Sequence, residues 1–294
     1  MRVFLTGATG FIGSALVPEL INAGHQVLGL ARSDAGAQSL IAAGAQAHRG
    51  DLEDLESLRI GAAVSDAVIH CAFIHDFSKF EANCAIDKQA IETLGAVLSA
   101  SHRPLIVTGG TALDVQGRPG AEDDPPSYAL PRVSEQTADA VRALGVRTSV
   151  VRLPQVHNTI KQGLVTYLIA LARQKGVSAY VGDGQNRWAA VHLLDAARLY
   201  RLVLEKGEPG ARYHAIAEEG VPLRQIAEAI GRGLNVPVAS KFPEEAAAHF
   251  GWLALFMGYD LPVSSALTQQ RLGWRPTALP GIIEDLDHMN WQAA

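Results

Sequence analysis

The sequence predicts an α/β fold: a doubly wound parallel sheet followed by a smaller, mostly helical C-terminal domain. Three observations carry that prediction. Short apolar stretches alternate with helical ones through the first half of the chain, those stretches are almost continuously apolar, and the first of them, Val3-Phe4-Leu5, runs into a glycine turn, TGATGFIG at 6–13. Strands buried on both faces read as unbroken apolar runs, and the helices that join parallel strands cover both faces of their sheet.

Taken in order, the apolar runs predict strands at 3–6, 26–31, 46–49, 67–71, 105–108 and 149–153. Helices are predicted between them at 11–23, 35–43, 55–62, 80–100 and 131–144, and Gly24 fits the position just past the end of the first. Two βαβαβ halves in succession make the Rossmann arrangement. After Pro154 the rhythm changes: helices are predicted at 163–174, 193–205 and 223–234, with short strands at 188–192 and 212–217. The apolar, aromatic stretch 242–259 reads as core, and Gly273-Trp274-Arg275-Pro276 as a turn before a last helix at 280–289. The domains are therefore expected at 1–155 and 156–294, interleaved through contributions of 188–217 to the first.

Composition narrows the function classes. The 294 residues are 48% hydrophobic and 19% charged, with a formal net charge of −5 and no long basic block, which argues against nucleic acid as a partner. No apolar stretch reaches transmembrane length, so no membrane partner is expected. Met1-Arg2-Val3 enters a strand directly, and Cys71 and Cys84 lack both a disulfide framework and metal-site spacing. A cytoplasmic location and no bound metal are the expectations.

The glycine turn points to chemistry. Strand, glycine turn and helix N-terminus together present backbone N–H groups to a pyrophosphate. Gly7 permits the tight turn, Gly10 lets the backbone approach phosphate, and Gly13 permits close helix packing, so Thr6, Gly7, Thr9, Gly10, Phe11, Ile12 and Gly13 are candidate cofactor contacts. The glycine spacing alone is weak evidence; its place between a strand and a helix gives it weight. The end of the second strand should read the ribose. It carries Ala31 where an acid would bind the 2′-hydroxyl of NAD, followed by Arg32 and Ser33, which can bind a 2′-phosphate, so NADP is favoured over NAD. The alternative is a solvated Arg32 at a strand end.

Five segments extend the reading: TGATGFIG at 6–13, Asp51-Leu52, HCAF at 70–73, VVRLPQV at 150–156, and GDGQNRWAAVHLLDAAR at 182–198. With these segments the chain resembles the extended short-chain dehydrogenases/reductases, the branch of NAD(P)-dependent epimerases and dehydratases, over nearly its whole length. The resemblance implies that Asp51 and Leu52 border the adenine, that Cys71, Ala72 and Phe73 line the path to the nicotinamide, and that Pro154 and Val156 lie beside its ring. It also implies a substrate-binding role for the C-terminal domain and dimerisation through the helices at 80–100 and 131–144.

That family uses a Ser or Thr after the fifth strand and a Tyr-x-x-x-Lys pair on the next helix. Here the Ser position falls on Gly110 with Thr111 beside it, and spacing to VVRLP puts Pro131 and Glu135 at the Tyr and Lys positions. A glutamate could hold the ribose but could not lower a phenol pKa. Tyr128 and Arg132 form a Y-x-x-x-R spacing interrupted by Pro131, which places Tyr128 in the loop before the helix. Thr111, Tyr128 and His157 are the candidate catalytic residues. Thr108, His75 and His192 are polar neighbours, with His192 read as a packing or hydrogen-bonding residue and His70 as a local hydrogen-bonder. Arg187 could bind an anionic substrate group and Trp188 could stack on a ring, although a packed Trp188 fits equally well. The expected function is an NADP(H)-dependent oxidoreductase moving hydride between nicotinamide and a carbonyl or alcohol of a small organic substrate. The alternatives are a non-catalytic NADP(H)-binding sensor and a sugar-nucleotide epimerase-like isomerase.

Overall fold

Apolar runs with both faces to bury become the strands of a central sheet in the computed structural model, which describes residues 1–113, 115, 117–127, 131–277 and 279–292. In chain order the strands are β1 (Arg2–Thr6), β2 (Gln26–Ala31), β3 (Gln46–Arg49), β4 (Ala67–His70), β5 (Pro104–Gly110), β6 (Arg147–Leu153), β7 (Gln155–His157), β8 (Ser178–Val181), β9 (Arg187–His192), β10 (Arg212–His214), β11 (Glu218–Pro222) and β12 (Val238–Lys241). The helices are α1 (Phe11–Asn22), α2 (Asp34–Ala42), α3 (Leu55–Ala63), α4 (Phe80–Leu98), α5 (Ser134–Ala143), α6 (Val165–Lys175), α7 (Leu193–Lys206), α8 (Leu223–Leu234), α9 (Ala246–Phe250), α10 (Ala254–Met257), α11 (Ala266–Leu272) and α12 (Ile282–His288).

Seven parallel strands form one sheet in the order β10-β6-β5-β4-β1-β2-β3. The chain reverses direction across the sheet between β1 and β4, and in open α/β sheets ligands bind beyond the carboxyl ends of the strands at that switch point. Alternation along each strand feeds two cores. Val3, Leu5 and Ile69 pack with α1 and α7 on one face, while Phe4, Val68 and Leu105 pack with α3, α4 and α5 on the other.

The second half departs from expectation in useful ways. The predicted contributions of 188–217 to the large sheet divide: β10 joins it beside β6, whereas β9 lies in a separate three-stranded sheet between β7 and β11. A parallel β8–β12 pair adds a third sheet that short, partly exposed strands did not announce. The stretch 242–259 is only partly core: Phe250, Leu253 and Met257 are buried, but Trp252 is 38% exposed. Helix α5 begins at Ser134 rather than Pro131, and Arg132, ahead of its first turn, donates to the Thr108 carbonyl. None of the described helices is long and apolar enough to cross a membrane.

Candidate active site

At the carboxyl end of β1 the glycine turn forms a cradle whose shape explains its residues. Gly7 has φ +70°, and a Cβ there would lie 2.8 Å from the Ala72 backbone nitrogen. A Cβ on Gly13 would fall 2.0 Å from the Gly7 carbonyl oxygen, so this glycine lets α1 pack on the turn itself. A Cβ on Gly10 would meet only the Gly7 oxygen, at 3.1 Å, and would otherwise fill open space over the helix N-terminus. No side chain caps α1. Its first N–H groups therefore face a surface that only a Cβ would obstruct, which fits a pyrophosphate. Thr9 and Gly10 are exposed there, and Phe11 and Ile12 are half-buried against the first core. Thr6 is different: its hydroxyl is fully buried, accepts from the Ala72 N–H at 3.3 Å and bonds His70 Nδ1 at 2.9 Å, so it braces the turn from behind.

At the end of β2, Arg32 is exposed and makes no hydrogen bond or ion pair with the described residues. Ser33 caps α2, its Oγ accepting from the Gly36 N–H at 3.1 Å, which leaves its hydroxyl proton to donate. Arg49, in register with Ala31 on the neighbouring strand, reaches Asp34 at 3.3 Å. Asp51 Oδ1 accepts from the N–H groups of Glu53 and Asp54 and thereby shapes the turn after β3, while Leu52 is buried in the core.

Beyond β4 a buried polar chain connects the cradle to the next helix. Thr6 bonds His70 Nδ1; His70 Nε2 lies 3.1 Å from Asp87 Oδ1; and Ser134 Oγ donates to Asp87 Oδ2 at 2.6 Å. A carboxylate only accepts, so His70 carries its proton on Nε2 and Thr6 donates to Nδ1. His70 is thus no local hydrogen-bonder; it joins three elements. Burial alone would raise the Asp87 carboxyl, but the His70 hydrogen bond, the Arg132 charge and the Ser134 hydroxyl together hold it below the usual carboxylate range.

The chain of bonds ends on Arg132. Its Nε donates to Ser134 Oγ at 3.0 Å, its Nη2 donates to the Thr108 carbonyl at 3.1 Å, and its guanidinium lies 4.4 Å from the centre of the Phe73 ring. Thr108 Oγ1 in turn bonds the buried Tyr200 hydroxyl at 2.6 Å, with Cys71 Sγ 3.9 Å from the same oxygen. Burial raises both the Cys71 thiol and the Tyr200 phenol, so neither is an ionised base. Cys71, Ala72 and Phe73 are each half-buried, with Ala72 against Gly7 and Phe73 beneath the Arg132 guanidinium.

Glu135 does not face these residues. Its Oε1 and Oε2 accept from Arg152 Nε and Nη2 at 2.9 and 2.8 Å, and Oε2 also accepts from Arg212 Nε at 3.0 Å. Arg152, inside the VVRLP segment, is fully buried and further satisfied by the Glu122 and Asp124 carbonyls. The expectation that Glu135 holds a ribose is thereby overturned: both carboxylate oxygens are consumed by a buried ion pair, and Arg132 is the side chain that reaches the end of β5.

The candidate catalytic residues separate. Thr111 lines a cavity of about 420 Å³ beyond β5. Tyr128 lies outside the described residues. His157 is fully buried in β7, its Nδ1 2.6 Å from Asp285 on α12 and its Nε2 3.7 Å from Glu218, and it does not line that cavity. Burial lowers the imidazole pKa, opposed in part by Asp285. His157 is accordingly a tie between β7 and the C-terminal helix, and its assignment as an acid is corrected. His75 is pushed down to about 4, chiefly by lost hydration and then by the Arg132 and Lys161 charges. Pro154 is half-buried and Val156 packs in the first core. His192 Nδ1 accepts from the Leu194 N–H and caps α7. Phe73 meets Phe80 edge-on, Phe80 meets Phe77 at a tilt, and Trp252 stacks on Phe77 at 4.1 Å, whereas Trp188 is 2% exposed in the separate C-terminal core. Sequence reasoning missed Asp87 and Ser134 altogether. Among the described residues no cluster of His, Cys, Asp or Glu could hold a metal ion.

Comparison with known proteins agrees with this geometry. A family model described as the NAD dependent epimerase/dehydratase family matches residues 3–100. The chain is 50% identical over 281 residues to uncharacterized protein C2A9.02 of Schizosaccharomyces pombe, covering 94% of this chain and 95% of that protein. It is 28% identical over 249 residues to the sterol-4-alpha-carboxylate 3-dehydrogenase, decarboxylating, of Dictyostelium discoideum, covering 76% and 74%. Its fold is similar to that of a dTDP-glucose 4,6-dehydratase from Streptomyces venezuelae solved with NAD and TYD bound, with a TM-score of 0.78 at 20% identity over 100% of this chain and 97% of that one.

Proposed function

The chain belongs to the NAD dependent epimerase/dehydratase family, and from that premise we propose that it is an NADP(H)-dependent oxidoreductase acting on a carbonyl or alcohol of a small organic substrate. The observation that carries the proposal is the joint placement of the open glycine cradle and the Arg132 guanidinium, tied together by the Thr6–His70–Asp87–Ser134 chain. Gly7, Gly10, Gly13 and the α1 N-terminus would hold the pyrophosphate. Arg32, with the Ser33 hydroxyl, would hold a 2′-phosphate, and no acid stands at Ala31 to repel it. When bound, the nicotinamide supplies or accepts the hydride.

The chain's own residues then handle the substrate oxygen. Thr111, at the cavity, orients it. Tyr128, four residues before Arg132, gives or takes the proton, and the fixed positive charge of Arg132 favours the phenolate. An arginine cannot itself give up a proton, so Arg132 acts through its field alone. The dehydrogenase relative in Dictyostelium supports redox rather than purely structural use of this scaffold.

Single-turnover oxidation of NADPH against a panel of ketones and aldehydes tests the proposal. Turnover with wild type, and a loss of about 100-fold or more in kcat for Tyr128→Phe and Arg132→Ala, is expected. Tight NADPH binding with no oxidation by any carbonyl would refute the enzyme reading and leave a cofactor-binding protein.

A further inference from the structure

The cavity of about 420 Å³ beside Thr111 is lined by apolar Leu113, Leu261 and Val263 and by charged Arg118, Arg187 and Asp260. Two arginines on a cavity wall would suit a nucleoside diphosphate. Each, however, is already matched by a carboxylate. Arg187 donates from Nε and Nη2 to Asp260 Oδ1 and Oδ2 at 3.0 and 2.8 Å, and its backbone N–H donates to Oδ1 at 2.7 Å. Arg118 donates from Nη1 and Nη2 to Asp124 Oδ2 and Oδ1, both at 2.7 Å. Asp124 also accepts from the Ala121 N–H, and its carboxyl is pulled down to about 2, chiefly by the Arg118 bond.

In both pairs a carboxylate occupies the parallel N–H donors that would grip a phosphate. A phosphate approaching the remaining guanidinium edge would come close to a second anion, and like charges so placed oppose binding. The cations are therefore matched within the lining, and Thr111 and the apolar side chains are left to contact a ligand.

We propose that this cavity takes an uncharged carbonyl or alcohol substrate, and that Asp260 and Asp124 exclude nucleoside diphosphates and their sugars by neutralising Arg187 and Arg118. The proposal deepens the oxidoreductase reading and rests on it for the reacting group, but the exclusion of nucleotides is measured independently of turnover. It sets this chain apart from its fold neighbour, a dTDP-glucose dehydratase.

The test is calorimetry with UDP and dTDP on the full chain saturated with NADPH, so that the cofactor cradle is filled. Wild type is expected to bind neither, with Kd above about 1 mM. Asp260→Asn keeps the carbonyl oxygen that accepts the Arg187 N–H but removes the charge, and is expected to tighten UDP binding by about tenfold or more. Asp124→Asn is the second, independent variant, and the double substitution should exceed either. Circular dichroism confirms that each variant is folded. Micromolar UDP binding by wild type would overturn the proposal, as would folded single and double variants that gain no affinity. In the turnover assay a neutral ketone should exceed its carboxylate analogue in kcat/KM by about tenfold. Equal rates overturn the choice of an uncharged substrate, while absence of any turnover strikes the oxidoreductase reading and leaves the calorimetric result on nucleotide exclusion standing.

Discussion

Replacing Asp87 tests the link between the cofactor cradle and the catalytic side most directly. Asp87 is 2% exposed and accepts two bonds, from His70 Nε2 at 3.1 Å and from Ser134 Oγ at 2.6 Å. Its donors are 1% and 2% exposed, so water cannot replace the lost acceptor at either. Asp87→Ala strands two buried donors at about 1–3 kcal/mol each, a destabilisation of roughly 2–6 kcal/mol. At about 2–4 °C per kcal/mol, Tm should fall by roughly 4–24 °C. Asp87→Asn keeps an oxygen for His70, but its amide would face a Ser134 oxygen that already accepts from Arg132. One donor is then stranded instead of two, and the loss should be about 1–3 kcal/mol.

The functional consequence is separable. Ser134 loses its anchor in both variants, and Arg132 loses the fixed partner that holds it near Thr108. A displacement of about 1 Å in a catalytic group can cost on the order of 100-fold in rate, so kcat should fall about 10- to 100-fold while NADPH affinity changes little. Scanning calorimetry and NADPH oxidation with a responsive ketone are the assays. If Asp87→Ala melts within about 1 °C of wild type, the buried chain is not what fixes these elements. If it melts early but retains kcat per folded molecule, the chain is structural and Arg132 does not depend on it.

Three further outcomes follow from the geometry. Arg32→Ala should weaken NADPH binding by about tenfold or more and NADH binding hardly at all, as read by fluorescence titration; equal losses for both would assign the 2′-phosphate elsewhere. Glu135→Gln leaves Arg152, 0% exposed, with an uncompensated buried charge and should cost about 3–5 kcal/mol in denaturant unfolding; a change under about 1 kcal/mol would contradict the ion pair. Acid should destabilise the fold. Burial lowers the folded pKa of His157 and His214, so their contribution is complete above the unfolded imidazole value of about 6.5 and is lost as pH falls toward the lower folded values. Asp87, also lowered, adds a loss of the same sign at more acid pH. A Tm that is flat from about pH 7 to 5 would show that the buried imidazoles are not neutral in the fold.

What could be read in the sequence was what local physics controls. The inner strands β1, β2, β4 and β5 announce themselves because they are buried along most of their length and mostly apolar, whereas the edge strand β3, QAHR, is neither. The glycine turn is legible because Gly7 and Gly13 stand where a Cβ meets backbone, a constraint that acts within a few residues of chain. Strand β12, with exposed and half-buried residues alternating, has no such pressure and left no comparable pattern.

The catalytic side was harder because its logic spans the chain. Glu135 looked like a lysine position by its spacing to VVRLP, yet the same segment contains Arg152, the buried cation that claims it. A glutamate seventeen residues from an arginine on a neighbouring strand is a contact only topology can specify. The signal that could have found it is Arg152 itself: an arginine that follows Val150 and Val151 in a buried strand must have a carboxylate nearby, since an unpaired charge there is prohibitive. Applying the same requirement to His70 inside AVIH would have demanded polar partners for both ring nitrogens, and so pointed to an acid on α4. With Glu135 engaged by Arg152 and Asp87 by Ser134, Arg132 is left as the cation turned toward the end of β5. Arg132 lies ahead of the first turn of α5 rather than within it, and its side chain is there free to reach the Thr108 carbonyl.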